Sequence, residues 1–136
     1  MKLNIVILLI SIALPSFADE YAVISNQMLK ELTPSQIRAV FLKKLTHMKG
    51  LHLVPLNLPS HDPLRKKFEK ELLKMSFQRL KPYWTKQHYL GIRPPLTLKS
   101  QESVLLFTTK VQGAISYVNT KNIDKNVKIL YTWRDD

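Results

Sequence analysis

Ser60-His61-Asp62 sets the three residue types of a hydrolase triad side by side. A triad is a tertiary geometry, and three consecutive residues cannot aim their side chains along one chain of hydrogen bonds. No Gly-x-Ser-x-Gly elbow and no glycine-rich phosphate loop occurs elsewhere. The four histidines, His47, His52, His61 and His88, form no His-x3-His helical pair and show no usual ligand spacing, so no metal site is expected. The chain has no cysteine, which removes thiol nucleophiles, disulfides and thiolate zinc. Of its ten carboxylates, Glu69 and Glu71 fall on the outer face of one expected helix, and none reads as a paired acid and base. The chemistry legible here is binding, with no catalytic residue, metal or cofactor.

The best candidate for binding is the join between an expected strand, His52-Leu53-Val54-Pro55-Leu56-Asn57-Leu58, and the helix opened by Asp62-Pro63. Strand ends leading into helix N-termini are where α/β folds hold ligands, because unpaired backbone donors there attract anions. Asn57, Ser60 and Arg65 cluster around this join. Asp62 is an equally good reading as an ordinary cap, and its carboxylate would repel an anion. Arg93, in the stiff loop Gly91-Ile92-Arg93-Pro94-Pro95, is a second cationic candidate. Asn26, closing the first expected strand, completes the set of Asn26, Asn57, Ser60, Arg65 and Arg93.

The elements that must position these residues alternate between strand-like and helix-like runs, which predicts an α/β layer fold. Glu20 to Ser25 reads as the first strand. Leu32-Thr33-Pro34-Ser35-Gln36-Ile37 carries a capping box, a proline for the first helical position and a hydrophobic staple. The helix it opens is expected over about 34–45. Pro55 points to a sheet edge or a bulge. Leu64, Phe68, Leu72 and Met75 stripe the second helix, with Arg65–Glu69 and Lys67–Glu71 spaced for outer ion pairs. Ser76 is a cap for a third helix that Pro82 should kink or delay. Tyr83, Trp84 and Tyr89 read as core or domain-edge rings. Ser100 opens a fourth helix, Gly113 ends it, and strands follow over 114–118 and 127–131; the tail at 132–136 is expected to fray.

Charge and targeting narrow the partners. The formal charge is +11 over 136 residues. Residues 1–18 have the order of a secretory signal peptide: a basic start, an apolar run over 5–14 broken only by Ser11, then Pro15-Ser16-Phe17-Ala18 before a cut. The apolar run is well short of the ~20 residues that span a bilayer. Removing it costs one lysine, Lys2, and leaves a single domain over 19–136. An exported, cysteine-free basic domain suits a bacterial periplasm, with no nucleic-acid partner; small anions, anionic surfaces and acidic proteins remain.

The ordered motifs resemble a known family, the periplasmic phosphate-binding proteins that serve ABC importers as solute receptors. The matching stretches are Leu32 to Lys44, Val54-Pro55-Leu56-Asn57 running into the second helix, and Gly113-Ala114-Ile115-Ser116-Tyr117-Val118. The Tyr-Trp helix and the Gly-x-Arg-Pro-Pro loop are similar to those of short exported relatives of these receptors. The resemblance implies one lobe of a type II periplasmic-binding-protein fold, with a small mixed sheet flanked by helices. It implies a non-enzymatic module whose ligand would be an oxyanion such as phosphate, at the strand C-terminal ends. Where the family carries Ser-Gly-Thr, this chain has Asp62-Pro63-Leu64. That exchange removes a hydroxyl and an N–H and adds a negative charge, so weakened phosphate affinity is expected. The alternative is a protein-interaction module that docks on a membrane sensor or transporter, or forms a homodimer, using its charge and the rings of Tyr83, Trp84 and Tyr89.

Overall fold

The structure, a computed structural model, describes residues 2–8, 10, 12, 18–124 and 126–135. Most of the small-residue cleavage pattern, and Asp136, lie outside the described residues. Among those described, no helix is long and apolar enough to cross a membrane.

The central sheet has five strands in the order β5-β4-β6-β1-β7. β1 (Glu20–Asn26) runs antiparallel to both neighbours, β6 (Ala114–Asn119) and β7 (Val127–Arg134). β4 (Val54–Asn57) runs parallel to β6 and to the short β5 (Leu96–Thr97). β2 (His47–Met48) and β3 (Leu51–His52) form a separate hairpin. The helices are α1 (Pro34–Phe41), α2 (Pro63–Phe68) continuing into a π-helical turn (Glu69–Leu73), α3 (Phe77–Tyr89) and α4 (Gln101–Lys110). This is the mixed α/β architecture that the alternating runs predict.

The core centres on β1 and β6, from Tyr21 to Asn26 and from Ala114 to Val118, all buried. Buried runs without alternation are the mark of strands covered on both faces. Phe41 of α1, Phe68 of α2 and Tyr117 of β6 meet between sheet and helices. Phe68 lies flat on Tyr117 at 4.1 Å and meets Phe41 edge-on at 4.6 Å. Such ring pairs add ~0.5–1.5 kcal/mol beyond their area.

Local signals behave as read at the start of α1. Thr33 Oγ1 accepts from Gln36 N at 3.2 Å, and Gln36 Oε1 accepts from Thr33 N at 2.9 Å. Leu32 and Ile37, the staple pair, are both buried. The helix stops four residues sooner than expected, at Phe41. Lys43 adopts φ 62°, and Lys44 N reaches back to Ala39 O at 2.8 Å. That is a Schellman stop with lysine in the place usually taken by glycine.

Further expectations are corrected. The strand read over 52–58 is divided: His52 belongs to the hairpin and β4 spans only Val54–Asn57. Pro55 sits in an interior strand. Val54 N donates toward β6, to Gly113 O at 2.8 Å. Successive N–H groups alternate sides, so Pro55 faces β5, whose pairing begins only at Leu56. Lys67 does not pair with Glu71: Lys67 Nζ donates to Asp135 at 2.7 Å, and Glu71 accepts from Tyr131 Oη at 2.9 Å. The tail is ordered as far as Asp135, because β7 continues to Arg134 and buries Trp133 against Tyr21, 5.4 Å between rings. Pro82 lies inside an unbroken 13-residue α3, and Ser76 makes no side-chain cap bond.

Gly113 allows the parallel pair to form: a Cβ there would lie 1.8 Å from the His52 carbonyl oxygen. Gly113→Ala should cost about 3 kcal/mol or more, since backbone, not a flexible side chain, stands in the way; urea unfolding measures it. The end of β7 is clamped by Asp135, which accepts from both Lys67 and Tyr21. Lys67, and then Tyr21, hold this carboxyl below the ordinary carboxylate range. A carboxylate depressed in the folded state adds stability that is present at neutral pH and lost as pH falls through its folded value. Asp135→Asn should therefore flatten the acid limb of stability between about pH 5 and pH 2, read from urea midpoints.

Candidate functional site

β4 and β6 both point their C-terminal ends to one edge of the sheet, which carries Asn57, Asn119 and the starts of α2 and α4. Tyr117 organises this edge. Its buried hydroxyl donates to Asn57 Oδ1 and accepts from Leu58 N at 3.2 Å. Burial raises the phenol's pKa well above its usual value, so it stays neutral and donating. One turn into α2, Arg65 Nη1 donates to Leu58 O at 3.0 Å. Arg65 Nε is buried without a hydrogen-bond partner, 3.7 Å from Glu69 Oε1. Burial raises the Glu69 carboxyl, and the Arg65 charge opposes that shift.

Several backbone donors at this edge have partners inside the chain. Asp62 Oδ1 accepts from Leu64 N at 2.9 Å, and Pro63 has no N–H to offer. Ser100 Oγ accepts from Ser103 N at 3.1 Å at the start of α4. Gln101 Oε1 accepts from Asn119 N at 2.7 Å and Asn122 Nδ2 at 2.9 Å. Between the two helix starts lies a cavity of 550 Å³ lined by Asp62, Lys99, Ser100, Gln101, Glu102 and Leu105, among others. Two carboxylates and one lysine there favour no anion.

Of the five residues singled out from sequence, the fold brings together Asn57 and Arg65, through Tyr117 and Leu58. Ser60 is exposed in the turn between them. Asn26 is elsewhere. β1 runs antiparallel to β6, so its C-terminal end lies at the opposite edge of the sheet. There Asn26 Nδ2 donates to the carbonyls of Thr108 and Thr109 at 3.0 and 3.1 Å, and Oδ1 accepts from Met28 N. That is the work of a helix C-terminal clamp. Arg93 is exposed on the entry side of β5, whereas Asn57 is on the exit side of β4.

Sequence reasoning missed Tyr117, which it read only as a strand residue. The available signal was a phenol in an otherwise apolar run, since a buried tyrosine must bring its hydroxyl to a partner. The aromatic expectation holds for Tyr83 and Trp84 and is corrected for Tyr89. Tyr83 and Trp84 are half-buried, with Tyr83 Oη donating to Leu42 O at 2.5 Å. Tyr89 is 84 % exposed, and Phe77 and Leu90 of the same segment are open as well. Alongside runs a groove of 460 Å³ whose lining includes Arg65, Glu69, Phe77, Leu80, Trp84 and Tyr89. Among the described residues, no group of three or more His, Cys, Asp or Glu side chains could hold a metal ion.

This chain is similar in fold to three solved receptors. An ABC-type phosphate transport receptor from Vibrio cholerae superposes with a TM-score of 0.66 at 18% identity, covering 84% of this chain and 47% of the receptor. A phosphate ABC transporter substrate-binding protein with bound phosphate from Clostridium perfringens gives 0.65 at 18% identity, covering 82% and 44%. PstS from Borrelia burgdorferi gives 0.58 at 14%, covering 84% and 48%. The fold is that of one lobe of a type II periplasmic binding protein. The chain spans about half the length of these receptors. No family model and no curated protein matches it.

Tyr117→Phe keeps the stacked ring and deletes both hydrogen bonds. Leu58 N–H and Asn57 Oδ1 then lose a buried partner, at a cost of ~1–3 kcal/mol. The melting temperature should fall, with the far-ultraviolet spectrum unchanged.

Proposed function

We propose that this protein is an exported, non-enzymatic solute-binding-like module, related to phosphate receptors, that has no tight phosphate site of its own. The observation that carries this reading is the Asp62 carboxylate on Leu64 N at 2.9 Å. It fills the helix start where an oxyanion would bind, and Pro63 removes a further donor. Asn119 N is already held by Gln101, which takes up one more donor of that edge. A solitary lobe also buries a ligand on one side only, so any affinity would be weak unless a second chain closed over it. The signal-like residues 1–18 and the periplasmic setting of such receptors support export as part of the same reading.

A second reading, docking on a membrane sensor or transporter or on a second copy, draws support from the exposed Phe77, Tyr89 and Leu90. Lysines 66, 70, 74, 81 and 86 surround this segment. Exposed aromatics in a cationic frame suit an acidic partner surface.

Amide NMR titration with inorganic phosphate tests the first reading. The first reading expects small, linear shifts scattered over lysine-rich segments and no saturation. Saturable shifts gathered at Asn57, Ser60, Leu64 and Ser100 would overturn it. Tyr89→Ser should leave those spectra unchanged and weaken any self-association seen by sedimentation.

A further inference from the structure

The β2–β3 hairpin makes a site that its sequence spacing conceals. Its turn, Lys49-Gly50, has φ 50° and 81°, the two positive angles of a type I′ turn, whose twist matches a two-residue hairpin. Met48 and Leu51 pair next to the turn, and His47 and His52 form the following pair. Leu53 N donates to Thr46 O at 2.8 Å, closing the pair beyond. His47 and His52 therefore occupy a non-hydrogen-bonded position, where opposing side chains come closest. Their rings lie 4.9 Å apart between centroids, tilted by 34°, and both residues are exposed.

Thr46 orients both rings. Its hydroxyl is 3.0 Å from His47 Nδ1, and its carbonyl is a long 3.4 Å from His52 Nδ1. A carbonyl can only accept, so a neutral His52 bonded this way carries its lone pair on Nε2. Both Nδ1 atoms are engaged by the chain's own Thr46, which leaves each Nε2 as the nitrogen not committed to Thr46. An imidazole held through one nitrogen with the other open is the usual arrangement of a metal-ligating histidine.

We propose that His47 and His52 form a two-imidazole site for a borderline divalent metal ion, of the zinc or copper class. Imidazole suits these ions, and copper(II) outranks zinc in the general affinity order. The remaining coordination positions would be held by water or solution anions, as in open sites. Lys44 and Lys49 lie in the same segment, and their charge lowers affinity for a dication. The expected site is therefore a modest one, formed by the register of the hairpin.

Zinc chloride titrated into the purified protein, followed by calorimetry and by histidine-ring NMR, tests this. One equivalent should bind and move the ring signals of His47 and His52, leaving those of His61 and His88 in place. His47→Ala and His52→Ala should each weaken binding by about tenfold or more, because each removes half of a chelate. The double variant should be little worse than either single one. Absence of saturable zinc binding, equal response of all four histidines, or unchanged affinity in both single variants would overturn the proposal. The ring signals of the unaltered protein give the answer even where a variant folds poorly.

Discussion

Gly113 is where the fold is decided. Its missing Cβ lets the His52 carbonyl lie against the backbone, where any other residue would place an atom 1.8 Å away. Val54 N then reaches Gly113 O at 2.8 Å, and β4 and β6 proceed side by side in the same direction. Parallel pairing puts Asn57 and Tyr117 at one end of the sheet, and their hydrogen bond fixes the chain's exit into α2. β1 is then packed antiparallel between β6 and β7, and the central buried strands follow. A close backbone approach at one glycine thus sets the direction of the strands that carry the candidate site.

That site is built like a binding edge and wired like a structural one. In a type II lobe the exit edge offers helix starts and strand ends, both rich in unpaired donors. Here Asp62, Ser100 and Gln101 take up donors that a ligand could otherwise use. Arg65 is held by Leu58 O and lies beside Glu69. Its guanidinium is spent on the β4–α2 connection, and burial there raises the Glu69 carboxyl. The likeness in fold and the proposed departure in chemistry therefore rest on separate observations. Fold follows from sheet order and packing, whereas ligand affinity follows from which donors remain open.

What the sequence made legible was local. The Thr33–Gln36 box, the Asp62-Pro63 start and the Ser100 start each depend on residues within one turn, and each forms. What it hid was non-local. Asn26 looked like a strand-end ligand, but the direction of β1 relative to β6 is set by partners some ninety residues away. Thr132 to Arg134 looked like a frayed tail, because nothing nearby shows that Trp133 packs on Tyr21. His47 and His52, five apart, match no helical ligand spacing and become neighbours only when a two-residue turn sets their register. The resemblance to phosphate receptors was legible because the ordered motifs, Thr-Pro-Ser-Gln and Gly-Ala-Ile-Ser-Tyr-Val, mark the elements that build the lobe.

A lobe whose helix starts are capped from within should need neither a second lobe nor an anion to stand. Thermal unfolding of the purified protein, scanned with and without phosphate against a chloride control, tests that most directly. A receptor-like site would gain ~2.7 kcal/mol at a phosphate concentration about a hundredfold above its Kd. The account predicts one cooperative transition with the same midpoint in both salts. A broad, non-cooperative melt, or a rise in midpoint specific to phosphate, would contradict it.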